Sequence, residues 1–110
     1  METIKLLEKF EFGGPVKAAK NKEVRELLNC ERRRLIEIKL TENAILTRHR
    51  APEPITVMCL AGSGVFKAGE NLDEELDLSA GVLLTLEAGV LHEVAAGPDI
   101  HILVTRFKDI

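Results

Sequence analysis

Three histidines, His49, His92 and His101, are the side chains of this chain suited to transition-metal binding or to proton transfer near neutral pH. None lies in a local metal signature such as two histidines four apart on a helix or a pair of CxxC motifs. The spacing around them says more. Residues 81–92 read GVLLTLEAGVLH, with one glycine opening a strand, a second glycine at a turn and His92 three residues beyond it. Upstream, His49 sits between Arg48 and Arg50, thirteen residues before Gly62-Ser63-Gly64. The plain reading of His92 is a buried histidine bonded to a neighbour or to water. For His49 it is a partly exposed residue whose flanking arginines disfavour both its protonation and a nearby cation. Cys59 reads equally well as a small buried hydrophobe, the usual state of a free cysteine. Arg32, Arg33 and Arg34 read as a solvated turn.

The elements that must position these residues are strands. Residues 35–40 alternate apolar and charged side chains with period two, as a strand with one wet face requires. Further strands are expected at 44–48, 55–61, 65–68, 82–86, 90–96 and 100–107. They are separated by Thr41-Glu42-Asn43, Pro52-Glu53-Pro54, Gly62-Ser63-Gly64, Gly69-Glu70-Asn71, Ala88-Gly89 and Gly97-Pro98-Asp99. The acidic stretch 72–80 is expected to form a solvated edge. Strand following strand at short, even spacing predicts an all-β sandwich or barrel and not a parallel α/β sheet. In the first third, Ala18, Ala19, Val24, Leu27 and Leu28 suit either a short helix or an outer strand, and Gly13-Gly14-Pro15 rules out a long helix.

The second motif resembles that of the small single-domain cupins, which runs Gly, five residues, Pro, any residue, Gly, two residues, His. Gly81, Gly89 and His92 fall on it, while Glu87 stands at the proline. The first cupin motif, His-any-His, three or four residues, Glu, six residues, Gly, is met by His49 and Gly62. Ala51 stands at the second histidine and Ile55 at the glutamate. The resemblance covers about the last two thirds of the chain. It implies a small double-stranded β-helix, the cupin jelly-roll barrel, here expected over residues 34–110, with residues 1–33 as an N-terminal extension.

It also implies an inward metal site normally built of three histidines and one glutamate, of which His49 and His92 remain. Two imidazoles fall short of the three protein ligands of most catalytic sites. Glu53, Cys59 and His101 are candidates to complete a set, whereas parity aims Glu93 away from His92. The expected pocket is lined by His49, Ile55, Val57, Cys59, Leu84 and His92. Two functions follow. One is a non-catalytic or weakly catalytic module that binds a small molecule in the barrel mouth. The other is a metal-dependent enzyme of dioxygenase or isomerase type, in which His49, His92 and a substitute ligand hold one divalent ion of iron, manganese, nickel or zinc.

Composition bounds the partners. The chain has 110 residues, 45% apolar and 30% charged, enough for one domain with a single core. A formal charge of -3 and four phenylalanines, with no Trp or Tyr, argue against nucleic acid and against anionic membrane surfaces. The apolar runs near 55–61 and 81–86 are too short to span a bilayer. No secretory signal opens the sequence, and Cys30 and Cys59 are expected as reduced thiols, so the chain reads as a soluble cytoplasmic protein. Small open barrels expose strand edges, and a homodimer paired through the N-terminal segment is expected.

Overall fold

The computed structural model describes residues 3–108. Seven antiparallel strands form one continuous sheet: β1 (Lys22–Asn29), β2 (Arg33–Leu40), β3 (Ile45–Arg50), β4 (Ile55–Ala68), β5 (Glu74–Ser79), β6 (Leu83–Leu86) and β7 (Leu91–Phe107). Among these residues there is no α-helix, and hence none long and apolar enough to cross a membrane.

The two longest strands, β4 and β7, pair along most of their length and organise the rest. Residues 100–107 of β7 are flanked by β2 and by the first half of β4, which also carries β6. Residues 91–96 are flanked by β3 and by the second half of β4, which also carries β5. The ladder slips between these halves, at Cys59/Ala61 and Gly62/Gly64, so one ribbon supplies two leaves. Ile36, Ile38, Val57 and Ile102 of the first leaf join Phe66, Leu78 and Val94 of the second in one buried cluster.

Glycine permits that ribbon to bend. Gly62 has φ +79°, and a Cβ there would lie 2.1 Å from the carbonyl oxygen of Asp99 on β7. At Gly64 the same atom would lie 2.4 Å from the carbonyl oxygen of Ala95. Gly62-Ser63-Gly64 and Gly97-Pro98-Asp99 therefore lie within two long strands instead of separating four short ones. The acidic stretch contains strand β5, an edge whose side chains are exposed apart from Leu78. The ambiguity at the N-terminus resolves to a strand, since β1 pairs with β2 from Lys22↔Leu40 to Asn29↔Arg34.

Candidate functional site

Between the two leaves lies a cavity of about 110 Å³. Alternation sets its walls, because Ile36 and Ile38 of β2, Ile55 and Val57 of β4, and Ile102 and Val104 of β7 all turn toward the other leaf. His49 and His92 form its polar side. They are direct cross-strand partners on β3 and β7, with ring centroids 4.2 Å apart and planes inclined at 60°.

A bulge places His49 there. Leu46 pairs with Val94 and His49 with His92, so three steps along β3 match two along β7. The extra residue lets Leu46 and His49, of opposite parity, line the same cavity. His92 is 4% exposed and stacks on Phe66, with centroids 5.6 Å apart and planes 8° from parallel, whereas His49 stands exposed at the mouth.

Each ring is fixed by its own strand. Nδ1 of His49 donates to the carbonyl of Thr47 and Nδ1 of His92 to that of Val90, both at 2.9 Å. A carbonyl oxygen only accepts, so in the neutral rings the proton resides on Nδ1 and Nε2 is left as an acceptor. Burial holds the His92 pKa below its ordinary value, and the neighbouring His49 adds to that effect, against the opposing bond to Val90.

Ala51 and Ile55, which stand where the cupin motif carries its second histidine and its glutamate, line this same cavity. All four ligand positions of the motif thus converge, with aliphatic side chains at two of them. The proposed substitutes lie elsewhere. Cys59 is fully buried, outside the cavity lining, with its thiol directed to the carbonyl of Ala61 and its pKa pushed up by burial. His101 faces the opposite side of β7, where Nε2 bonds Glu37 at 2.8 Å. Glu53 is engaged with Arg106 at 2.7 Å. Glu93 follows the inward His92 and pairs in register with Lys67. Among the described residues no three His, Cys, Asp or Glu side chains come together to hold an ion. Two imidazoles with aliphatic neighbours do not fit a resident transition metal.

Of the six residues expected to line a pocket, the structure gathers His49, Ile55, Val57 and His92 around this cavity. Leu84 instead borders a shallow hollow with Leu76 and Leu86, because β6 flanks β4 from the far side. Sequence reading missed Phe66, Arg50 and Arg106. Arg106 was legible in principle, since it shares the parity of the inward residues Ile102 and Val104.

Similar architecture recurs in solved proteins. A cupin superfamily protein from Desulfitobacterium hafniense superposes with a TM-score of 0.78 at 16% identity, over 96% of this chain and 100% of that one. An RmlC-like cupin from Desulfovibrio desulfuricans gives 0.70 at 21% identity, over 96% and 94%. This chain has the cupin fold. The DMSP lyase DddQ from Ruegeria pomeroyi also shares it, with a TM-score of 0.73 at 14% identity over 82% of this chain and 48% of that one. No family model and no curated protein matches by sequence. Cupin-fold chains thus include a lyase alongside proteins described by fold, and the fold by itself does not select an activity.

Proposed function

We propose that this cupin-fold chain is a small-molecule-binding module whose ligand occupies the cavity between the leaves, without a resident metal. The observation that carries this reading is the cavity itself. Its walls are aliphatic and its polar side holds the Nε2 acceptors of His49 and His92. A compact apolar body against Ile36, Ile38 and Val57, with a polar head toward the histidines, satisfies both surfaces. The volume sets the scale, being smaller than the roughly 150 Å³ engineered cavity that takes benzene. The two free cysteines agree with a reducing, cytoplasmic location. We also assign a homodimer, with Ile4 and Leu6 of the N-terminal segment, 86% and 82% exposed, as the apolar contact.

Methyl NMR during titration with isobutanol tests the binding reading. Expected are saturable shifts at Ile36, Ile38 and Val57 that vanish when Val57→Phe fills the cavity; no saturable shift at these methyls in the wild type rejects it. The second reading, a metal-dependent enzyme, draws on the two imidazoles held 4.2 Å apart. Metal analysis of untagged protein separates the two. Stoichiometric iron, manganese, nickel or zinc that disappears in His92→Ala favours the enzyme.

A further inference from the structure

Two acceptors border the cavity, and no donor among the described residues engages them. His49 and His92 each commit Nδ1–H to a carbonyl of their own strand at 2.9 Å, which leaves Nε2 as the unpartnered nitrogen of each neutral ring. His49 stands exposed at the mouth, but His92 is buried. Among the buried and half-buried described residues, the one unpartnered side-chain nitrogen or oxygen that solvent cannot touch is Nε of Arg106, so Nε2 of His92 is open to the cavity. A buried acceptor left without a donor is costly, and a ligand that supplies one recovers that cost.

The wall also selects by charge. The lone pairs of two imidazoles oppose an anionic oxygen. The charged side chains of the lining are Arg50 and Arg106, while their carboxylate partners Glu70 and Glu53 stand outside it, so a cationic head meets like charge. A neutral donor fits both conditions. A hydroxyl supplies one proton, whereas the NH2 of a primary amide supplies two from a single nitrogen.

Building on the binding reading above, we propose that the ligand is a short aliphatic primary amide. Its NH2 gives one proton to Nε2 of His49 and the other to Nε2 of His92, and its hydrocarbon body lies against Ile36, Ile38 and Val57. The cross-strand pairing of the two histidines, with ring centroids 4.2 Å apart, lets one nitrogen serve both. The amide carbonyl turns to the mouth and keeps its hydrogen bonds to water.

Titration of the full chain with isobutyramide, isobutanol, isobutyrate and isobutylammonium, followed at the methyls of Ile36, Ile38 and Val57, varies the head on one branched four-carbon skeleton. Isobutyramide is expected to bind at least about threefold more tightly than isobutanol, the gain of one further hydrogen bond, and both ions more weakly than isobutanol. In the saturated amide complex the 15N resonances of both Nε2 atoms should move upfield, as an imidazole acceptor does on gaining a donor. His92→Phe and His49→Phe keep a ring at each position and remove its acceptor, and each should abolish the preference for the amide over the alcohol. His49→Phe, at the exposed mouth, decides if His92→Phe does not fold. An amide no tighter than the alcohol, an ion as tight as the amide, unmoved Nε2 resonances or a preference that survives His49→Phe overturns the amide assignment and leaves the binding reading standing. Binding of none of the four compounds overturns the binding reading itself.

Discussion

At the residue scale, the His49 and His92 pair is defined by what its neighbours withhold. Backbone carbonyls fix both Nδ1 protons, and Ala51 and Ile55 offer nothing for a cation to bind. Buried His92 then becomes a source of acid sensitivity. Its pKa is lowered in the folded chain, so above the unfolded value near 6.5 both states are neutral and it costs nothing. As pH falls through that value toward the lower folded pKa, the unfolded chain takes up the proton first and stability is lost. Denaturant midpoints should therefore fall between pH 7.5 and pH 5, and fall less steeply in His92→Gln. An equal slope in both proteins would assign the acid sensitivity to other groups. Residue context already marked His92 as the buried member of this pair and His49 as the exposed one, but it hid that Leu46 and His49 line the same cavity, because β3 carries a bulge that simple alternation does not foresee.

At the element scale, the long β4 and β7 ribbon is what brings the site together. Residues 91–96 of β7 supply His92 and residues 100–107 supply Arg106, and the close approach at Gly62 keeps both parts in one ladder. Gly62→Ala must relieve a 2.1 Å contact with backbone and adopt a left-handed φ. The expected cost is about 2 kcal/mol or more, read from urea unfolding. Gly14→Ala is the control, since its φ is not in the left-handed region and nothing lies within 4 Å of the added atom, and it should be near neutral. Turn residues marked the middle of this ribbon correctly as irregular. They did not tell a turn from a bend inside a strand, because glycine and proline serve in both and only the partner strand decides.

At the scale of the whole molecule, the N-terminal segment ties itself to the outer face of the first leaf. Gly13 N–H donates to the carbonyl of Leu60, Glu8 meets Arg25 at 2.6 Å, and Phe10 sets its ring edge to His101. Ile4 and Leu6 remain uncovered. With a second copy as their cover, light scattering at about 10 μM should give the dimer mass, and an Ile4→Ser, Leu6→Ser double variant the monomer mass. A monomeric wild type would remove the dimer assignment.

From the sequence alone came the strand-rich class, the cupin resemblance and the positions 49, 51, 55 and 92, because side-chain alternation and glycine spacing are local properties of the chain. Tertiary structure alone decided that these four positions share one cavity, that His101 and Cys59 lie outside it, and that Arg106 is part of its wall. Those outcomes depend on cross-strand register and on two bulged ladders. Register is fixed by partners far away in the sequence, and each slip of one residue exchanges the two faces of a strand.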